Sequence, residues 1–512
     1  MKERKCAMLF SGALIGLVVI GMLSSSARAE QAAPQTEKTE TEAVETPCDK
    51  TIDQVQRDVY AGAPEKKTQP CPACLPGEEA IEDSAENWLP KIVDHGFHTV
   101  TPPKKEWEKF KWGLEERIRQ EYVKNATTLT KDETNRNYFR FRTKLWMEAT
   151  PHEWLKAYVR LGNECRAWMA PNLNSDLNEV FFDNLYVESV RPFELPVSMK
   201  VGRQDITYGN GFIFLEGTPL DGSRSVYFDA IKGTVHVDAL KTDIDGLVIE
   251  CNRMDRRFFK FNPSDQALNS DEIQAYGYYL TSKIFGDPLT IEQYYIYKDG
   301  HGQPWPASTF SNNSKINTWG ARLSGKPIAN FKYETELAVQ HGKQGPTEKE
   351  ALGGYVLGTY NFPVKCKPTL STGYYYLSGD DPDTNKREDW DPMFSRSTYY
   401  GDLLLFLFGR EGGTAYWNNL HTIQVSGSIC PVSWWHSALS YNKLWADENP
   451  LVGTAGFSTG RDRGDLVRWM NKFNLTKNVS TLFQLELFDP NDYYVSEAED
   501  ALFMRWEILI KY

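Results

Sequence analysis

Beyond residue 29, the sequence has no hydrophobic run long enough to form a transmembrane helix. The closest candidate covers residues 403–408 (LLLFLF), whereas a membrane-spanning helix needs about 18 to 20 consecutive apolar residues. If the mature protein meets a membrane, we therefore expect it to do so without spanning helices.

Patterns typical of catalysis are also scarce. The eight histidines show no spacing that suggests a Ser/His or Asp/His pair. Carboxylates are frequent, at 69 of 512 residues, so pairs of the kind that a glycoside hydrolase uses arise by chance. We therefore expect no enzyme, no resident metal and no cofactor.

The first 29 residues have the composition of a secretory signal peptide. Lys2, Arg4 and Lys5 precede an apolar run over residues 7–23, and small residues end at Ala29, a pattern typical of signal cleavage. An uncleaved membrane anchor is the alternative. Cleavage leaves 53 basic and 68 acidic residues, and this negative balance argues against nucleic acid as a partner.

Residues 30–110 are rich in Glu, Thr, Pro and Lys. Such a composition buries too little apolar surface to offset the entropy of ordering, which predicts a mostly flexible, acidic periplasmic extension. Its only close cysteine pair is Cys71 and Cys74. A local disulfide is the simpler interpretation of this pair, and a redox or metal site is the alternative.

From residue 111 to 512, apolar and polar residues alternate over successive segments of roughly 10 to 16 residues, a spacing that predicts β-strands. In residues 137–149, Phe139 and Phe141 lie on one face while Arg140 and Arg142 lie on the other. Aromatic content is high, at 13%, and the chain ends on an aromatic residue of an amphipathic strand. These features predict an all-β, single-chain transmembrane antiparallel barrel of about 18 strands. Soluble sandwiches and propellers also alternate, but their strands are shorter.

The connections between the predicted strands alternate in length. Those near residues 150–152, 242–243, 286–287 and 477–478 are short, whereas those such as 205–223 and 380–417 are long. Short turns on one rim and long loops on the other are typical of outer-membrane barrels. Both termini then lie on the periplasmic rim.

If the apolar face of each strand contacts lipid, the opposite face is unusually rich in arginine. A cation against hydrocarbon at mid-bilayer costs about 2–4 kcal/mol, so these side chains are expected to point into the lumen and attract anions. Ion pairing with neighbouring glutamates is the alternative, and the two roles are compatible. The predicted pore-lining residues on these strands are Arg117, Arg119, Arg140, Arg142, Lys144, Arg160, Arg322, Arg468 and Arg505.

The stretch VGRQDITYGNG, residues 201–211, combines Arg203 and Asp205 with three glycines, Gly202, Gly209 and Gly211. Glycine at these positions allows a strand end to bend and its loop to run close to the wall. Asp205 is then placed to fix the guanidinium of Arg203, and Asp229 is a second supporting acid.

This stretch continues to Arg224 and Phe228-Asp229-Ala230, and a second stretch runs from Ser378-Gly379-Asp380 to Tyr400-Gly401. Together they resemble the alginate export family of outer-membrane porins. The resemblance covers roughly residues 110–512. It implies a monomeric 18-stranded barrel whose arginine-rich constriction passes an anionic polysaccharide outward, with Arg203 and Arg224 in the constriction beside Arg140, Arg142 and Arg468. Residues 30–110 depart from the family pattern, as do the apolar residues 212–214.

Two questions stay open from sequence. The first is the cargo: a diffusion porin for small anions or sugar acids is the alternative to a polysaccharide pore. The second is the acidic run at residues 380–391, which offers oxygen ligands for Ca²⁺, although a solvated extracellular loop is the simpler interpretation. Outer-membrane lipid and periplasmic secretion proteins are the other expected partners.

Overall fold

The computed structural model describes residues 109–131, 133, 135–171, 173, 176–177, 180–215, 228–252, 271–302, 313–395, 400–411 and 417–512. The predicted signal peptide, the extension with Cys71 and Cys74, and Arg224 lie outside these residues.

The described chain is almost entirely β-structure. The strands of its first half are β1 (Phe110–Lys124), β2 (Arg136–His152), β3 (Leu155–Ala170), β4 (Asp176–Leu177), β5 (Phe181–Val190), β6 (Val197–Gln204), β7 (Phe228–Val237), β8 (Thr242–Cys251), β9 (Asp271–Ser282) and β10 (Thr290–Gly302). Those of its second half are β11 (Asn313–Ile328), β12 (Phe331–Gln344), β13 (Thr347–Asn361), β14 (Thr369–Leu377), β15 (Leu420–Val432), β16 (Trp435–Trp445), β17 (Asp462–Asn474), β18 (Val479–Pro490) and β19 (Ala501–Lys511). One helix, α1 (Leu404–Arg410), precedes β15.

The strands close into a barrel. β1 pairs antiparallel with β2 on one side and with β19 on the other, so the first and last strands meet. The two-residue strand β4 pairs with β3, which also pairs directly with β5. Without β4 the ring has 18 antiparallel strands, which confirms the fold and the strand number predicted from the sequence.

The inside and outside of the wall follow the alternation predicted for residues 137–149. Arg140, Arg142 and Lys144 are 4–5% exposed, whereas Met147 on the opposite face is 39% exposed. The closing strand β19 shows the same pattern, because Arg505 is buried and its neighbour Trp506 is exposed. This distribution is the one expected of a membrane barrel, whose outer face contacts lipid and whose interior is polar.

The two rims of the barrel differ. The connections on one rim, called the short-turn rim, are residues 153–154, 191–196, 238–241, 283–289, 329–330, 362–368, 433–434 and 475–478. Most connections on the opposite, long-loop rim are longer, and 345–346 is the exception. Helix α1 has seven residues, and in the part of the chain that the structure describes no helix qualifies as a membrane span.

The apolar core lies inside the ring. It is formed where two long-loop connections pack against inward-facing strand residues, and it includes Phe214, Trp390, Leu403 and Leu407. Because these loops lie between the walls, they determine which part of the lumen a solute can reach.

Candidate functional site

Seven predicted cations form one buried cluster on the inner face of β1, β2, β3 and β19. In the strand register Arg117 lies directly opposite Arg142, and Arg119 lies opposite Arg140. Like charges at directly opposed positions destabilise a sheet, so stability alone does not account for this arrangement. The members of this basic cluster are Arg117, Arg119, Arg140, Arg142, Lys144, Arg160 and Arg505, each 5% exposed or less.

Carboxylates between the arginines compensate much of this charge. Arg119 Nε donates to Glu507 Oε2 at 2.8 Å, and Arg505 Nη2 donates to Glu121 Oε1 at 2.8 Å. Further pairs are Arg140 with Glu164 at 3.1 Å, Arg142 with Glu115 at 2.7 Å and Lys144 with Asp183 at 3.4 Å. Both interpretations made from the sequence are therefore compatible with the geometry: the arginines face inward, and they are also ion-paired.

The stretch at residues 201–211 divides its polar groups between two pairs. Nε and Nη2 of Arg203 donate to the two carboxylate oxygens of Asp229 at 2.9 and 3.2 Å, and Nη1 donates to the carbonyl of Phe182 at 3.0 Å. Asp205 instead accepts from Arg160 Nη2 at 2.8 Å. The acid that fixes the fork of Arg203 is thus Asp229, and Asp205 connects this region to the basic cluster.

Two glycines of the same stretch are required by its geometry. Gly209 has φ +53°, and a Cβ there would lie 2.7 Å from Cδ of Arg322. Gly202 has φ +123°, and its Cβ would lie 2.3 Å from the carbonyl oxygen of Leu185. Gly211 also has a positive φ, +78°. The chain therefore turns directly against the wall, as the sequence indicated.

Two further predicted cations, like Arg203, lie apart from the basic cluster. Arg322 on β11 pairs with Glu334 at 2.9 Å and with Glu292. Arg468 on β17 is fully buried and lies opposite Glu486 of β18. The structure thus brings seven of the predicted cations together and places Arg203, Arg322 and Arg468 at separate positions around the wall.

A loop that the sequence did not identify as internal enters the barrel. We call residues 378–395 and 400–411 the inserted loop, and residues 205–215 the glycine loop. Phe394 donates its backbone N–H to the carbonyl of Ile213 at 3.0 Å, and its ring stacks on Phe214 at 4.8 Å. Trp390, 2% exposed, stacks on Phe212 at 5.3 Å. The two loops therefore form one apolar unit within the ring.

Ion pairs fasten the inserted loop to the wall. At one end Asp389 pairs with Lys349 of β13 at 3.0 Å, and Asp391 pairs with Lys298 of β10. At the other end Asp402 pairs with Arg505 at 3.0 Å and Glu411 pairs with Arg463 at 2.7 Å. Because the anchors lie on β10, β13, β17 and β19, the loop spans the lumen.

Sequence reasoning did not place this loop inside the barrel, although a signal for it was present. Residues 403–408 are wholly apolar, and such a run is unfavourable in a solvated loop. Leu403, Leu404 and Leu407 are 0–1% exposed in the structure.

The sequence profile of the alginate export family matches residues 108–504. The chain belongs to the alginate export family. This is a family of outer-membrane β-barrel porins, so the protein is an outer-membrane pore and not an enzyme. No match was found among curated proteins.

Solved porin structures show a distant similarity to this member of the alginate export family. Pseudomonas aeruginosa OccK5 (OpdH) has a TM-score of 0.48 at 12% identity, with 79% of this chain and 98% of that chain covered. Pseudomonas aeruginosa OccK2 (OpdF) in complex with glucuronate has a TM-score of 0.49 at 9% identity, with the same coverage.

The acidic run of this member of the alginate export family is only partly solvated. Asp383 is exposed, whereas Asp389 is 3% exposed and held by Lys349 and Arg387. Burial raises the pKa of Asp389, but these two cations outweigh burial, so its pKa lies below the ordinary value of 3.8. Within the described residues, no group of three or more His, Cys, Asp or Glu side chains converges as a metal site.

One hydrogen-bonded chain was not foreseen from histidine spacing. Ser198 Oγ lies 2.8 Å from His236 Nε2, and His236 Nδ1 lies 2.7 Å from Asp243 Oδ1. These residues are consecutive across β6, β7 and β8 at the short-turn rim. Ser198 Oγ also accepts the backbone N–H of Arg191 at 3.2 Å. In this pore the chain of bonds ties three strands and a turn together.

Proposed function

We propose that the pore passes an anionic polysaccharide, an alginate-like polyuronate, along its basic cluster. Guanidinium groups bind carboxylates through two parallel hydrogen bonds, and a polyuronate presents one carboxylate per sugar. The family membership supports a porin with this type of cargo. The proposed pore-lining residues are those predicted from the sequence, including Arg203, Arg224, Arg322 and Arg468.

The observation that carries the proposal is the opposition of Arg117 and Arg142. Their direct pairing is unfavourable for the sheet, and Glu115 contacts only one nitrogen of Arg142, at 2.7 Å. Nε of Arg142 is buried and has no hydrogen-bond partner among the described residues. A buried donor without a partner costs roughly 1–3 kcal/mol, so stability does not explain why a cation is kept at this position, whereas attraction of anions into the lumen does.

A second candidate function is a diffusion porin for small anions or sugar acids. The inserted loop favours it, because Trp390 and Phe394 occupy space between the walls. A small solute needs only a gap beside this loop, whereas a polymer requires the loop to move. We propose the polymer as cargo with such a movement, and a monomer as the working unit.

Planar-bilayer recording tests the proposal. We expect wild-type channels to be anion-selective by reversal potential and to be blocked by polyuronate more strongly than by mono-uronate. Arg142→Gln is expected to move the reversal potential towards cation selectivity. Arg461→Gln is the matched control, because Arg461 lies outside the strands and its side chain is 56% exposed. Cation selectivity of the wild type would refute the proposal, and block by mono-uronate alone would establish the small-anion porin.

A further inference from the structure

We propose that three inward-facing aromatic rings and one lysine form a binding subsite for the pyranose ring of an acidic sugar. Trp146 of β2, Tyr158 of β3 and Tyr186 of β5 follow one another around the wall. Their ring centroids are 6.1 and 5.2 Å apart, with interplanar angles of 18° and 22°. Lys200 of β6 continues the series, with Nζ 3.8 Å from the centroid of Tyr186. We call these four residues the aromatic arc.

The register places the arc on the lumen face. Trp146 lies opposite Arg160, a member of the basic cluster, and Tyr158 lies opposite Tyr186. The next residues along the strands face outward: Met147, after Trp146, is 39% exposed, and Val187, after Tyr186, is 51% exposed. All four side chains of the arc are partly exposed, so they border the lumen rather than the apolar core.

A glycine on the neighbouring strand makes room for the first ring. Gly113 of β1 lies opposite Trp146 in the register, and a Cβ built there would be 2.6 Å from the indole. The indole therefore leans over a position that has no side chain and packs against the wall. In the proposed subsite, the sugar packs on the opposite face of the ring.

The chemistry of the arc suits a sugar acid. The C–H face of a pyranose is apolar and packs on flat aromatic rings, whereas its rim carries hydroxyls and, in a uronate, a carboxylate. A cation beside the rings can bind that carboxylate. Lys200 is suited to this role, because its Nζ lies over the ring of Tyr186, and Glu188, opposite it in the register, pairs with Lys156 at 3.9 Å. Lys156 is less available, since it pairs with Glu148 at 3.3 Å.

The arc lies between the short-turn rim and the basic cluster. Tyr158 is the fourth residue of β3 and Arg160 is two residues further from that rim, while Lys200 precedes Arg203 on β6. A chain that enters from the short-turn side therefore meets the aromatic rings before the arginines. The inference rests on the proposed function and adds a site that recognises the sugar ring as well as its charge.

The test measures how long a bound oligomer blocks single channels of the full-length protein in planar bilayers. A hexuronate oligomer is the sugar probe, polyglutamate of similar length is the sugar-free polyanion, and maltohexaose is the neutral sugar. Trp146→Leu and Tyr186→Leu are each expected to shorten hexuronate block about fivefold, as a lost aromatic contact of ~1 kcal/mol implies. Block by polyglutamate is expected to stay unchanged. Trp319→Leu, on the outer face of β11 and 43% exposed, is the matched control.

Two further variants separate stacking from charge. Tyr186→Phe keeps the ring and should retain wild-type block by hexuronate. Lys200→Met keeps an unbranched apolar chain without the charge, so it should weaken block by hexuronate and leave block by maltohexaose unchanged. Assembly of each barrel is checked by heat-modifiable electrophoretic mobility. If Trp146→Leu does not assemble, the comparison of Tyr186→Leu with Tyr186→Phe decides.

The outcomes distinguish the two proposals. Unchanged hexuronate block in the leucine variants would overturn the arc, as would an equal loss of block by polyglutamate. Either result leaves an anion-selective wild type intact. By contrast, a cation-selective wild type, or one that neither polyanion blocks, would overturn the proposed function itself.

Discussion

Asp402 is the side chain whose change should most directly release the inserted loop. It is fully buried, and its Oδ2 accepts from Arg505 Nη1 at 3.0 Å and from Gln484 Nε2 at 2.5 Å. Removing one partner of a buried ion pair costs about 3–5 kcal/mol. Arg505 keeps Glu121 at 2.8 Å, so we expect Asp402→Asn to cost about 3 kcal/mol, the lower end of that range.

Such a loss changes the equilibrium between inserted and displaced loop by a factor on the order of 100. In single-channel recordings Asp402→Asn should therefore open to a higher conductance far more often than the wild type. Asp383→Asn is the matched control, because Asp383 lies exposed in the same loop. The reasoning fails if Asp402→Asn assembles and shows the same conductance levels and frequencies as the control.

Three other predictions concern the loops and their anchors. Gly209→Ala should lower the unfolding free energy by at least about 1–2 kcal/mol because of its positive φ. The loss should exceed that of the control Gly453→Ala, whose Cβ would meet no atom within 4 Å, and equal denaturation midpoints of the two variants would contradict the contact between Gly209 and Arg322. Arg203→Ala should destabilise the barrel by about 3 kcal/mol and move the reversal potential towards cation selectivity, and part of that shift should persist in the double change Arg203→Ala/Asp229→Ala. Full return to the wild-type reversal potential in the double variant would show that Arg203 only pairs with Asp229 and does not attract anions. Because the pKa of Asp389 is lowered in the folded protein, the stability that its ion pair contributes is present above the unfolded pKa of about 4 and is lost as the pH falls through the lower folded value. Acidification should therefore favour the high-conductance state in the wild type, and Asp389→Asn should show that state already at neutral pH.

The wall of the barrel was predictable from local sequence. Alternation over residues 137–149 fixes which side chains face lipid, since a strand repeats every two residues and cations are excluded from hydrocarbon. For this reason Arg140, Arg142 and Lys144 lie where the sequence placed them. The strand number followed from the same periodicity.

The partners of the arginines were not predictable in the same way. Arg119 and Glu507 are 388 residues apart and meet only because β1 closes on β19. The assignment of Asp229, rather than Asp205, to Arg203 depends on the register between β6 and β7. Alternation says which face a residue occupies, but the register of strands distant in sequence decides which charge stands opposite.

The path of the inserted loop could not be predicted from strand periodicity, because it depends on a balance between burial of apolar side chains and the lost hydration of charged ones. Its apolar residues 403–408 gain by leaving water, while Asp389 and Asp402 lose hydration and need cations already placed on the wall. The wall charges are thus part of what determines the path of the loop.

The anchoring carboxylates of the inserted loop have a consequence for how cargo binds. Asp402 offers Arg505 the same chemical group that a uronate offers, and it is tethered beside its partner. A tethered group acts at an effective concentration that can reach the millimolar range, so a free anion competes against a resident one. A single carboxylate therefore competes weakly with Asp402 for Arg505. A polymer brings many linked carboxylates to neighbouring arginines, so it can displace Asp402, and the inserted loop with it. In that case the pore distinguishes long anions from short ones by competition, without a size filter.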